Sequence, residues 1–183
     1  MILQRIEEII FSGYKENVSG STFELREDNK NTKCAKAKIQ KTGDILVYKF
    51  DKSPKKDGRE IKDKLPFLND ISGVKSMADF LLFYVKKDRL FVIICNLKSG
   101  NKGNSADQIE AGKIFANFIV STAQRMFQED FEEVKPEFIP ILYSSVPLFK
   151  VPTNPRRIPQ NKIRNYISND SQTDTCDLDA ICH

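Results

Sequence analysis

Three polar residues interrupt the most apolar stretch of the chain. In "MADFLLFYVKKDRLFVIICNLKSG", residues 77 to 100, Asp79 opens the first apolar run, and Asn96 and Lys98 close the second. An acid, an amide and an amine on apolar strands cost stability if buried without partners, so their grouping asks for a reason. Adjacent antiparallel strands lie about 4.8 Å apart. With a tight turn at 86–89, Asp79 stands seven residues before Lys86 and Asn96 seven after Arg89, which makes them neighbours. Side chains alternate along a strand, so Asn96 and Lys98 share a face. A carboxylate there can hold a hard cation such as Mg²⁺ through oxygen. A nearby Lys can orient a water or stabilise the charge developing on a phosphate. This is the equipment of metal-assisted phosphodiester hydrolysis. A purely structural reading stands beside it: Asp79 caps a strand, Lys98 snorkels to water, and Asn96 satisfies a backbone group.

The elements that must position these residues are read from periodicity. "ILQRIEEIIF", residues 2–11, has apolar residues at helical spacing. Residues 22–26 and 34–40 are short strands, and 44–50, "DILVYKF", is a clearer one. The polar stretch 51–64, with Pro54 and Gly58, reads as a loop or insertion. "DFLLFYV" and "RLFVIICNL" are continuous apolar runs of the kind that form central strands covered on both faces. A loop, "SGNKGN", precedes a long helix over 106–127 that Ser105 is placed to cap. "EFIPILYSSV" is a further strand, and Pro140 points to an edge or irregular position. The expected class is α/β (α+β), with a central mixed sheet and helices on its faces.

At Asp79, Asn96 and Lys98, and in "ADQIEAGK" that follows, the chain resembles the PD-(D/E)XK nuclease superfamily. That family places an acid on one strand and acid-any-Lys on the next, inside a restriction-endonuclease-like αβββαβ core. The resemblance covers roughly residues 1–145. It implies that Asp79 is a metal ligand, Lys98 the catalytic Lys, and Asn96 the occupant of the second acid's position. It also implies roles for Gln108 on the next helix and for an N-terminal acid, Glu7 or Glu8. The expected activity is Mg²⁺- or Mn²⁺-dependent hydrolysis of nucleic acid, DNA ahead of RNA, in restriction or antiviral defence. The rival expectation is a non-catalytic nucleic-acid- or protein-binding domain on the same fold.

Asn96 is the departure, because a neutral carbonyl is a weaker ligand than a carboxylate. Three explanations stand open. Glu110, on the helix after Lys98, supplies the missing acid as a catalytic and metal-binding residue. Alternatively the site is degenerate and only binds, or Asn96 is a substitution made to trap an inactive form.

Charge divides the molecule further. Residues 149–164 carry five positive charges and no acid, and residues 165–183 carry four Asp and no Lys or Arg. The organisation read from this is a domain over 1–148 and, over 149–183, a basic segment with an acidic, disordered tail. The expected phosphate contacts are Lys55, Lys56, Arg59, Arg156 and Arg157. The only His is residue 183, which argues against Ser or Cys triads. Cys176, Asp177, Cys182 and His183 match no familiar zinc spacing. No apolar run has the roughly 18 residues of a membrane helix, and the N-terminus is too acidic for a secretory leader. Four widely spaced Cys suggest no disulfide framework, and a cytoplasmic setting is expected.

Overall fold

The computed structural model describes residues 1–27, 36–63, 65–99, 105–131, 134–145, 162–169 and 171–183. Its elements begin with α1 (Ile2–Ile9) and a 3-10 turn at Ser12–Tyr14. The strands β1 (Lys15–Glu16), β2 (Thr22–Arg26), β3 (Lys36–Gln40) and β4 (Asp44–Lys49) follow. Next come a small hairpin, β5 (Lys55–Lys56) and β6 (Arg59–Glu60), and the long strands β7 (Phe80–Lys86) and β8 (Arg89–Lys98). The remainder is α2 (Ser105–Met126), α3 (Gln128–Phe131), β9 (Glu137–Ser144), β10 (Arg164–Ile167), β11 (Thr175–Asp177) and α4 (Leu178–Ile181).

A six-stranded mixed sheet, ordered β1-β4-β7-β8-β9-β10, forms the centre. Pairing is antiparallel from β1 to β8 and parallel from β8 to β10. The β7–β8 hairpin turns through Lys87 and Asp88, both with left-handed backbone, at φ 50° and 59°. A two-residue turn of that hand matches the right-handed twist of the strands it joins. It sets the register Lys86↔Arg89 through Phe80↔Cys95. Both strands are buried on both faces, as their unbroken apolar runs require.

Alternate residues divide the core in two. Leu81, Phe83, Val92 and Ile94 face α1 and α2, packing with Ile6, Ile109, Ala116 and Val120. Gly112 lets α2 approach closely, since a Cβ there would stand 2.7 Å from the Ala78 Cβ and 2.9 Å from the Ile94 Cγ2. Phe80, Leu82, Ile93 and Cys95 face the other way. Helices were expected on both faces, but the second cover is a three-stranded sheet, β11-β3-β2, with α4 beside it. β2 and β3 bury only alternate residues, Phe23 and Leu25, Ala37 and Ile39, so they work as a one-sided lid.

Two further expectations are corrected. Pro140 does not place β9 at the rim of the sheet, because β9 lies between β8 and β10, but it does stand where the strand is locally an edge. β10 pairs only from Ile141 onward, so at Pro140 the strand has no partner on that side and the missing N–H is tolerated. The acidic tail is not disordered either. β10 extends the central sheet, β11 pairs parallel to β3, and Cys176, Leu178, Ile181 and Cys182 enter the second core. Asp177 caps α4 by accepting from the N–H groups of Asp179 and Ala180. Among the described residues no helix is long and apolar enough to cross a membrane.

Candidate active site

The register Phe80↔Cys95 leads directly to Asp79 beside Asn96, just past the end of β7. There side chains continue the ladder that the backbone has stopped. The Asp79 N–H donates to Asn96 Oδ1 at 3.0 Å, and the Leu97 N–H donates to Asp79 Oδ2 at 2.7 Å. Asn96 is 0% exposed and Asp79 9%. Asn96 Nδ2 also donates to Gln108 Oε1 on α2, at 3.5 Å. Asn96 thus satisfies a backbone group, one of the roles open to it from sequence, while linking both strands to the helix. Lys98, half-buried, ends β8 on the same face, and its carbonyl accepts the Ser145 N–H at 3.1 Å.

Charge at this end of the sheet extends beyond the three residues read from sequence. Burial raises the Asp79 pKa, and Asp51 raises it further; the Leu97 N–H, Lys98 and Lys49 oppose the rise. Burial likewise raises Glu27, with Asp79 and Asp51 adding to the shift and Lys49 and Lys98 opposing it. Three carboxylates and two amines therefore feel one another here. Lys49 is buried and donates to the Arg26 carbonyl at 3.0 Å, which ties the end of β2, and Glu27 after it, to the end of β4. Sequence reading missed Glu27, Lys49 and Asp51. The signal for Asp51 was present, because β4 runs antiparallel to β7 and ends where β7 begins. Glu27 arrives from the second sheet, and no local pattern announces it.

The other expected site residues separate. Glu110 is exposed, and it follows Gln108 by two residues, about 200° around the helix. With Gln108 turned to Asn96, Glu110 faces away from Asp79 and Asn96. Glu8 is exposed on α1 and pairs with Arg5 at 3.1 Å. Glu7 pairs with Lys15. Among the described residues no three His, Cys, Asp or Glu side chains are arranged to hold a metal ion. Of the expected oxygen ligands, Asp79 and Asn96 stand side by side, and Glu110 lies on the other side of α2 from Gln108.

Lys55, Lys56 and Arg59 are exposed on the β5–β6 hairpin, which leaves the chain just after Asp51. Lys56 lies over the Phe11 ring, 5.5 Å from its centroid. Arg156 and Arg157 lie outside the described residues. Arg164, counted with the basic segment, is 1% exposed in β10 and is not available to a polyanion. Cys176 and Cys182 are buried in the apolar core, and burial pushes the Cys176 thiol up to about 12. Their surroundings are those of packed thiols rather than metal ligands.

The raised Asp79 pKa has a measurable sign. The folded chain holds this proton more tightly than the unfolded chain, whose value lies near 3.8. The stability this contributes is complete below the unfolded value and is lost as pH rises through the raised native one. Asp79→Asn keeps an acceptor for the Leu97 N–H but does not titrate. In urea denaturation across the acid range, its stability is expected to gain on that of the unaltered chain as pH rises. A constant difference would show that the Asp79 carboxyl titrates alike in both states.

No known protein-family model, curated protein or solved structure matches the chain.

Proposed function

We propose that the chain is a nuclease-type domain of the PD-(D/E)XK kind, acting on the phosphodiester backbone of nucleic acid, DNA ahead of RNA. One observation carries this reading: Asp79, Asn96 and Lys98 share one face at the end of the central strand pair, under Gln108 of α2. The surrounding order supports it. A helix, the antiparallel β4-β7-β8 set, a second helix and the parallel strand β9 follow one another as in the αβββαβ core, with β2 and β3 as an added lid. In this reading Lys98 presents positive charge to a phosphate oxygen, and Asp79 is the carboxylate held ready by the Leu97 N–H. A divalent cation would supply Lewis-acid chemistry, and the carboxylates whose charge reaches Asp79 are Glu27 and Asp51.

A second reading, binding without cleavage, is favoured by Asn96, whose carbonyl oxygen is engaged by the backbone instead of facing a ligand. Incubation with plasmid, single-stranded DNA and RNA, in Mg²⁺ or Mn²⁺, separates the two. The nuclease reading expects metal-dependent cleavage that Asp79→Ala and Lys98→Ala abolish while far-ultraviolet circular dichroism stays unchanged. Retained binding without cleavage selects the second reading. Absence of both removes nucleic acid from the account.

Phosphate contacts can be tested separately. Each contacted phosphate adds about 0.9 to the slope of log affinity against log salt on duplex DNA. Replacing Lys55, Lys56 and Arg59 with Ala is therefore expected to weaken binding and flatten that slope by about 2.7. An unchanged slope would place the hairpin outside the interface.

A further inference from the structure

The outer face of α2 carries apolar residues that nothing in the described structure covers. Ile114 is 66% exposed and Phe118 65%. They line an apolar groove of about 600 Å³ with Phe67, Val74 and Ala111. Phe67, 79% exposed, widens the apolar patch beyond the helix. Such a patch on a protein surface marks a contact surface.

The pattern along this face indicates what covers it. Asp107 and Arg125 are both exposed, and neither has an ion-pair partner among the described residues. They are 18 residues apart, five full turns, so they lie on one line along the helix. Ile114 and Phe118 fall within about 20° of that line. Every member has a counterpart at equal distance on the other side of Ala116: Asp107 with Arg125, Ala111 with Ser121, and Ile114 with Phe118. A two-fold axis through this point sets two copies of α2 antiparallel. The acid of each then meets the base of the other at both ends. Ala111 faces Ser121, where small side chains let the helices approach, and Ile114 meets Phe118 at the centre. A contact between identical surfaces must be self-complementary in this way, whereas a different partner would impose no symmetry on the charges.

We infer that α2 is a homodimer interface, with a second copy of this chain packed antiparallel across Ile114 and Phe118. The inference is independent of the nuclease reading, since no residue of the candidate site takes part.

Sedimentation velocity on the full chain over a concentration series tests it. The unaltered chain is expected to self-associate, and Phe118→Asp to be monomeric. Asp107→Arg and Arg125→Asp each place like charges at both ends of the contact, so each is expected to raise the dissociation constant about tenfold or more. An equimolar mixture of these two variants restores opposite charges at both ends and is expected to associate at least as well as the unaltered chain. All three positions are exposed, and circular dichroism checks that each variant folds. A chain that stays monomeric at every concentration overturns the inference. So does association that the charge reversals leave unchanged, or two weakened variants that fail to associate when mixed.

Discussion

Asn96→Asp is expected to destabilise the chain by about 3 kcal/mol at neutral pH without divalent metal, and Mg²⁺ or Mn²⁺ is expected to reverse much of that loss. The new carboxylate has the shape of the amide, so it still accepts the Asp79 N–H. It cannot donate to Gln108, and it adds a second negative charge beside Asp79 in a position that is fully buried. Two carboxylates so close do not both ionise readily. The penalty therefore fades at low pH, where both hold protons, and grows as pH rises. A divalent cation removes the repulsion by binding both oxygens, so a metal-dependent rise in melting temperature follows. Asn96→Glu supplies the residue type of the family resemblance but adds a methylene to a filled position, which costs further packing energy. On the nuclease reading both variants raise cleavage, and Glu110→Gln changes nothing because Glu110 faces solvent. A metal-independent loss of stability with no gain in cleavage would leave Asn96 as a structural link alone.

The second large effect lies at the other end of the chain. Leu178→Ala is expected to cost about 2–5 kcal/mol. Leu178 is fully buried and packs in one cluster with Val47, Leu82, Ile93 and Ile141 of the central sheet. Truncating it leaves a cavity beneath α4, a single helical turn that the Asp177 cap and the contacts of Asp179 with Thr42, Tyr84 and Lys86 tie to the rest of the chain. Urea denaturation is expected to show a lower midpoint with an unchanged slope. An unaltered midpoint would mean that β11 and α4 do not contribute to the cooperative unit. Loss of the acidic segment 175–183 would then be tolerated, contrary to its burial.

Much of this was legible in the chain. Continuous apolar runs specify β7 and β8, and the polar turn between them sets the register, so Asp79 beside Asn96 follows from counting. The period of two places Lys98 on the same face as Asn96. Helical phase even decides against Glu110 once Gln108 is given to Asn96, because two residues carry the side chain to the opposite side. These features depend on contacts between residues close in sequence, where spacing alone carries the geometry.

The rest was decided by tertiary structure. β2 and β3 were readable as short strands, but their pairing with β11 into a second sheet over the central one rests on the core they cover. The acidic tail is polar in composition, yet its few apolar residues complete a core that the central sheet leaves open. Glu27 joins the site from that separate sheet, and no spacing along the chain relates it to Asp79. The role of Asn96 likewise depended on which atoms its amide meets. A side chain at a strand end can face a ligand or a neighbouring backbone, and only the packed arrangement of both strands and the helix selects between them.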